Sequence, residues 1–371
     1  MSRLRLALLY GGRSAEHEVS LLSARSVVEA LDPAKYELLL VGIDRSGHWH
    51  FQSRADFDRV ASGSLPSVPE GPDDCFLAPS PGGRLVSAQG EEIARLDVVF
   101  PLVHGTYGED GTLQGLFELA DVAYVGAGVL GSALGMDKDA QKRLFREGGL
   151  PVVEFYTLRR AETTAEKLVE VGRKLSFPLF VKPANSGSSV GVAKADDEKK
   201  LAEAVEAAFS YDDKILVERA LRAREIECSV LGNEFVETSV PGEVVPSHEF
   251  YSYEAKYLDP RGATFRVPAP LSPEETREVR ALAAAAFRAI ECEGMARVDF
   301  FLEEETGKFF VNEVNTIPGF TPISQYPRLW EASGVSYGEL LDRLVELALD
   351  RHRRRRKRVF RPPVPGKDTK T

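Results

Sequence analysis

Ala296-Arg297-Val298-Asp299-Phe300-Phe301 and Phe309-Phe310-Val311-Asn312-Glu313-Val314-Asn315 are the two segments that decide how this chain is read. Between them lies Glu304-Glu305-Thr306-Gly307-Lys308, a polar, glycine-containing loop of a length that hairpins use. Pairing Glu303 with Phe309 sets Asp299 opposite Glu313 and Arg297 opposite Asn315. Period-two alternation then places all four polar groups on one face. Two carboxylates and an amide oxygen converging there suit Mg²⁺, which takes hard oxygen ligands and shares them with substrate phosphates. The plain alternative is the solvated face of a surface hairpin. The interleaved Phe and Val residues speak for buried strands, and buried charge needs a partner or a metal.

Around this hairpin the composition is that of a soluble globular protein, 43% hydrophobic and 28% charged. A length of 371 residues exceeds a single ordinary core. The net charge of −10 argues against a nucleic-acid partner. One basic run, Arg351 to Arg361, precedes a proline-rich end and reads as a solvated, disordered tail over 351–371. Cys75, Cys228 and Cys292 have no metal-like spacing and suggest a reducing compartment. The apolar start, Leu4 to Tyr10, is broken by Gly11-Gly12 too soon for a signal peptide, and no apolar run reaches the ~20 residues of a membrane span. The expected setting is cytoplasmic, without a membrane partner.

Residues 1–130 alternate strand and helix: a strand at Leu4 to Tyr10, a helix capped by Ser14 and running to Leu31, strands at Tyr36 to Ile43 and Leu96 to Val103, and a helix at Thr112 to Leu119. This pattern predicts an open, largely parallel α/β (Rossmann-like) domain with its binding loops at the strand C-termini. Residues 53–92, rich in Gly, Pro and Ser, read as an irregular insertion. Residues 131–224 read as a small α+β module and 225–350 as a second one that contains the hairpin. A closing helix there is opened by the pair Ser336 and Glu339.

Several motifs invite chemistry, and each has a plainer reading. Lys182-Pro-Ala-Asn-Ser-Gly-Ser-Ser-Val-Gly191 joins two strands, and such a Gly/Ser-rich turn exposes backbone N–H groups able to close over phosphates. Its Gly187-Ser-Ser-Val-Gly191 core matches the hydrolase nucleophile elbow, but a strand rather than a helix follows. Gly126-Ala-Gly-Val-Leu-Gly131 matches a dinucleotide fingerprint outside the first βαβ unit, where that fingerprint belongs. Glu16-His17-Glu18 lacks the second histidine of a zinc pair; it can instead reach a substrate ammonium or form a solvated first turn. His104 sits just past a strand end, before a glycine-rich loop. Lys138, Lys142 and Lys182 are candidates to neutralise phosphate, and Glu218 ends an apolar strand able to line a purine slot.

Together these stretches resemble the D-alanine–D-alanine ligases of the ATP-grasp superfamily. The matching segments are Gly11-Gly-Arg-Ser-Ala-Glu-His-Glu-Val-Ser20, His104-Gly-Thr-Tyr-Gly-Glu-Asp-Gly-Thr-Leu-Gln-Gly115, Met136-Asp-Lys138, Val181 to Gly191, Tyr253-Glu-Ala-Lys-Tyr257, Arg297-Val-Asp299 and Asn312 to Thr321. They run in the family's order over about residues 4 to 350, leaving out 53–92 and the basic tail. The resemblance implies an ATP-grasp fold and an ATP-dependent ligase making D-alanyl-D-alanine through an acyl phosphate, for peptidoglycan precursor synthesis. It implies ATP and D-alanine as substrates, two Mg²⁺ ions with Mn²⁺ as a substitute, and a homodimer. It assigns the metal to Asp299, Glu313 and Asn315. Lys138, Lys182, Ser188, Ser189, Val190, Glu218, Leu221 and Glu225 fall to ATP. Glu16, Ser188, Tyr257, Arg297 and Gly319 fall to catalysis, and His104, Lys256 and Ser324 to the second substrate. D-Alanyl-D-lactate or D-alanyl-D-serine synthesis, or a non-catalytic nucleotide-binding module on this fold, are the alternatives.

Overall fold

The computed structural model describes residues 3–62, 66–246 and 263–358. Strand Leu4–Gly11 is the middle of a five-stranded sheet, parallel to Tyr36–Ile43 on one side and to Val98–Pro101 on the other. Ala123–Tyr124 extends the sheet in parallel, and Trp49–Gln52 closes the far edge in antiparallel fashion. Leu6, Leu8 and Tyr10 enter one core and Ala7 and Leu9 another, so the strand is covered on both faces and reads as one apolar run.

The second sheet is antiparallel, in the order Ala193–Ala195, Leu179–Pro183, Lys214–Arg219, Phe155–Arg159. Leu179, Val181, Ile215 and Val217 pack beneath helices Ala165–Leu175 and Glu198–Phe209. Alternation leaves Lys182, Leu216 and Glu218 on the opposite face. The third sheet contains Ala263–Arg266, Gly242–Pro246, Ala223–Gly232, Gly294–Glu303 and Phe309–Asn315 in that order, with Val236–Thr238 beside Ala223–Gly232. Helix Pro273–Ala289 covers its apolar face through Val279, Ala283, Ala286 and Phe287, against Ile226, Val298, Phe300 and Val311. The acidic face of the hairpin is thereby turned away from that core. The chain thus divides into a largely parallel α/β sheet and two α+β lobes, as the sequence pattern predicts.

Helix Tyr337–Arg356 brings the chain back to its beginning: Leu340, Leu341, Leu344, Val345 and Ala348 share a core with Leu6, Leu8 and Val98. The expectation of a tail beginning at Arg351 fails here. Arg351 is 3% exposed inside this helix, because it continues the inward stripe of Leu344 and Ala348 at helical spacing; residues 359–371 lie outside the described residues. The insertion is also more regular than its composition suggests. It holds helix Arg54–Val60 and a three-stranded antiparallel sheet of Cys75–Leu77, Arg84–Ser87 and Glu92–Arg95. Phe57, Val68, Cys75, Leu77 and Leu85 are its sparse, fully buried anchors among turn-forming residues.

Candidate active site

The hairpin has the cross-strand pairs expected from counting, by a different route. Arg297 faces Asn315 and Asp299 faces Glu313, but near the loop Leu302, not Glu303, pairs with Phe309. The one-residue difference is absorbed by a bulge beyond Asp299, where Phe300 pairs with Val311 and Asn312 becomes the extra residue. The bulge sends Asn312 the same way as the acids, and its Oδ1 accepts a bond from Lys182 Nζ at 3.3 Å.

Around the acids the charges interlock. Arg297 Nε donates to Asp299 Oδ1 at 2.7 Å and a terminal guanidinium nitrogen to Oδ2 at 2.8 Å, a two-pronged grip. Glu227 Oε1 lies 3.3 Å from Arg297 Nε, and Asn315 Nδ2 donates to Asp299 Oδ2 at 2.9 Å. Burial works against the Arg297 charge, but Asp299 and Glu227 more than offset it and hold that charge well above its ordinary range. Lys138, the first residue of helix Lys138–Glu147, donates to Ser186 O at 2.7 Å and lies 3.3 Å from Glu313 Oε2. It therefore ties the Gly/Ser loop to the hairpin.

Across the cleft, Lys182 Nζ is 2.6 Å from Glu218 Oε2 and Lys142 Nζ is 3.1 Å from Glu218 Oε1. Burial alone would raise the Glu218 carboxyl, yet the two ammonium groups win and lower it. Burial likewise pulls the fully covered Lys142 down to about 8, with Glu218 resisting. An adenine or ribose contact through the Glu218 carboxylate therefore has to compete with two lysines. Leu221 and Glu225, both half-buried, flank the start of strand Ala223–Gly232.

The Gly/Ser loop runs from strand Leu179–Pro183 into strand Ala193–Ala195, not into a helix, which removes the nucleophile-elbow reading. Ser188 and Ser189 sit at positive φ, 51° and 59°, a conformation that turns the loop over the cleft. Ser188 Oγ donates to Glu16, and a Cβ on Gly187 would stand 2.8 Å from Glu16 Oε2, so only glycine lets the carboxylate come so close. Ser189 and Val190 follow in the same turn, with Val190 N donating to Gly187 O at 3.1 Å.

Glu16 is delivered by the turn after the first strand. Helix His17–Ala30 starts two residues later than a Ser14 cap requires, with Glu16 at its N-cap position, and Ser14 Oγ accepts the Glu16 N–H at 3.0 Å in the turn before it. Of the Glu16-His17-Glu18 trio only Glu16 meets the loop. His17 is buried against Gly12 O at 2.9 Å, and Glu18 pairs with Arg45. His104 is also buried, with Nδ1 2.9 Å from Ile317 O and Nε2 3.2 Å from Ser23 Oγ. Gly319 adjoins Ser324: a Cβ there would lie 2.7 Å from Ser324 Oγ, which accepts the Thr321 N–H at 3.0 Å. Lys256 and Tyr257 lie outside the described residues.

Four residues in this neighbourhood escaped the sequence reading as site residues: Ser23, Glu109, Glu227 and Asn312; Lys142, a phosphate candidate there, is instead the buried partner of Glu218. Glu227 was legible, standing two positions from Glu225 on a strand that alternates. Burial, reinforced by Glu16, pushes the Glu109 carboxyl up to about 8. The dinucleotide-like glycines serve packing. Gly126 O accepts from Arg351, and side chains on Gly128 or Gly131 would strike Arg355 or the Glu291–Cys292 backbone.

Models of the family described as D-ala D-ala ligase match residues 5–127 (N-terminus) and 144–346 (C-terminus). The D-alanine–D-alanine ligase of Solibacter usitatus is 51% identical over 95% of this chain and 98% of its own length. The D-alanine–D-alanine ligase structure from Coxiella burnetii superposes with a TM-score of 0.83 at 40% identity, covering 96% of this chain and 97% of that one. The VanG D-Ala:D-Ser ligase of Enterococcus faecalis superposes at 0.81 and 33% identity, covering 94% and 100%. The fold and cleft define an ATP-grasp enzyme, an ATP-dependent ligase. The chain belongs to the D-alanine–D-alanine ligase family.

Proposed function

We propose that this chain joins two D-alanines into D-alanyl-D-alanine at the expense of ATP, for peptidoglycan precursor synthesis. The observation that carries the reading is the hairpin face, with Asp299 opposite Glu313 and Arg297 opposite Asn315, met from the other lobe by Lys138 and Lys182. In this reading Lys138, Lys182 and the loop Ser188 to Val190 bind the phosphates, while Leu221 and Glu225 line the nucleoside slot with Glu218 beneath them. Glu16, oriented by Ser188, holds the ammonium of the first D-alanine. Its carboxylate attacks the γ-phosphorus of ATP, ADP leaves, and an acyl phosphate results. The amine of the second D-alanine adds to that carbonyl, Arg297 and the Gly319 N–H stabilise the oxyanion, and phosphate departs. Ser324 and Lys256 meet the second carboxylate, with His104 close by, and Tyr257 acts with Ser188 and Glu16 in catalysis.

The donor set suits a hard cation. Among the described residues no three acidic, histidine or cysteine side chains are placed to hold an ion by themselves. An ion here rests on Asp299, Glu313, the Asn315 amide oxygen and substrate oxygens, which is the habit of Mg²⁺. We assign these three residues to two Mg²⁺ ions, replaceable by Mn²⁺, which when bound offset phosphate charge.

Among the described residues no helix is long and apolar enough to cross a membrane. We place the reaction in the cytoplasm, where ATP is available, and in a homodimer, which light scattering on the purified chain tests. The fold does not choose the acceptor, since a relative titled a D-Ala:D-Ser ligase shares it. Phosphate release from ATP and Mg²⁺ should require D-alanine and ignore L-alanine. With D-serine or D-lactate in competition the product should remain D-alanyl-D-alanine. Nucleotide retention without turnover would instead mark a binding module.

A further inference from the structure

We propose that Ser23, His104, Glu109 and Tyr337 form a positioning clamp that holds the Ile317–Phe320 turn from outside the hairpin and thereby aims the Gly319 N–H. The proposal rests on the reading of Gly319 as an oxyanion donor.

The turn Ile317-Pro318-Gly319-Phe320 follows the last hairpin strand and belongs to no helix or strand. Backbone groups on both sides of Gly319 are nevertheless held by side chains. Ile317 N–H donates to Glu109 Oε2 at 3.2 Å, and Ile317 O accepts from His104 Nδ1 at 2.9 Å. Phe320 N–H donates to Ser23 Oγ at 3.1 Å, and Phe320 O accepts from the Tyr337 hydroxyl at 2.9 Å. Among the described residues no protein acceptor takes the Gly319 N–H itself. The groups flanking it are thus fixed, and the one N–H between them is left for a substrate oxygen.

Proton counting makes the arrangement single-valued. Ile317 O can only accept, so the proton of the neutral His104 ring sits on Nδ1. The Ser23 hydroxyl, which takes the Phe320 N–H on one of its two lone pairs, gives its hydrogen to Nε2 at 3.2 Å. One neutral tautomer satisfies every contact. Burial favours that neutral form. Glu109 completes the grip by accepting the Gly105 N–H through its other oxygen at 3.0 Å, which folds the His104 loop onto itself. His104 therefore acts through the turn, as a positioning residue, and its two nitrogens are both committed to protein.

All four side chains come from the N-terminal α/β region or from the closing helix that shares its core. The lobe that binds the first amino acid through Glu16 would in this way also set the oxyanion donor that serves the second.

The test separates the two chemical steps. With ATP and D-alanine at levels that fill only the first site, positional isotope exchange in ATP reports acyl-phosphate formation. Dipeptide yield reports the amine attack. In Ser23→Ala, and in Tyr337→Phe which keeps the ring, the kcat for dipeptide should fall about 10- to 100-fold while isotope exchange and the KM for ATP stay near wild type, because only the second step develops the oxyanion. Dipeptide formation close to wild type in both variants would overturn the clamp. So would an equal fall in exchange and ligation, the mark of a general structural role. A wild-type chain showing neither exchange nor dipeptide would strike the ligase reading itself, a separate failure.

Discussion

Arg297 and Arg351 are both arginines in covered surroundings, and their partners differ in kind. Arg351 is 3% exposed and faces carbonyl oxygens, Gly126 O and Tyr124 O, the latter at 2.7 Å, with its guanidinium 4.3 Å from the centre of the Tyr124 ring. Its nearest carboxylate, Glu293, is 4.0 Å away. Arg297 faces Asp299 and Glu227, with Glu313 and Lys138 beyond. A guanidinium satisfied by carbonyls is spent, and works as a bolt between the closing helix and the first sheet. A guanidinium ringed by acids sits in a cluster of three carboxylates against two cations. That residual negative charge is what a bound cation would offset. Burial alone does not tell a working charge from a fastening one; the partners do.

The largest expected effect tests the working arginine. If Arg297 has the role proposed above, Arg297→Lys should lower the rate of dipeptide formation about 10²- to 10³-fold, since a point charge cannot reproduce a planar fork at an oxyanion. Its melting temperature should move little, because the charge that balances Asp299 is kept. Retention of most of kcat would demote Arg297 to a fastening role like that of Arg351.

The converse substitution should cost stability and spare turnover. Arg351→Ala leaves two buried carbonyls without donors and removes the stacking on Tyr124, which together should cost about 2–4 kcal/mol. A fall in the urea midpoint at unchanged m-value, with kcat preserved below the transition, is the expected record. Lost turnover with an unmoved midpoint would show that the contrast between the two arginines is misdrawn.

What the sequence disclosed of each region follows from the range of the signal. The hairpin face was legible because alternation and cross-strand pairing are local rules, and Asp299 met Glu313 as counted. Its bulge was not, because nothing in Val311-Asn312-Glu313 announces an extra residue; the slip at Glu303 and the bulge cancel. In the basic run the charge signal and the periodicity conflict, and periodicity wins. Leu341, Leu344, Ala348 and Arg351 lie on one helical stripe, and that stripe marked Arg351 as inward. The clamp around Gly319 was beyond reach, since Glu109 and Ile317 are 208 positions apart and spacing carries no trace of their contact.

The smallest predicted effect sharpens the comparison by pH. His17 and His104 are both buried and hydrogen-bonded as neutral rings, and burial lowers each below its ordinary 6.5. In His17, Nδ1 lies 2.9 Å from Gly12 O, and Nε2 accepts the Val68 N–H at 3.2 Å, so a second ring proton has no place to go. The unfolded chain takes up protons below about 6.5 while the folded chain resists. The stabilisation from these rings is therefore complete above that value and is lost as pH falls, with a slope of up to ~1.4 kcal/mol per pH unit for each proton. Carbonyl oxygens do not titrate in this range, so the contribution of Arg351 should be independent of pH. Urea midpoints of wild type and Arg351→Ala, measured from pH 8 to pH 5, should then fall in parallel below 6.5. Curves that converge in acid would mean that a titrating group, and not the two carbonyls, holds Arg351, and that the contrast between the two arginines fails.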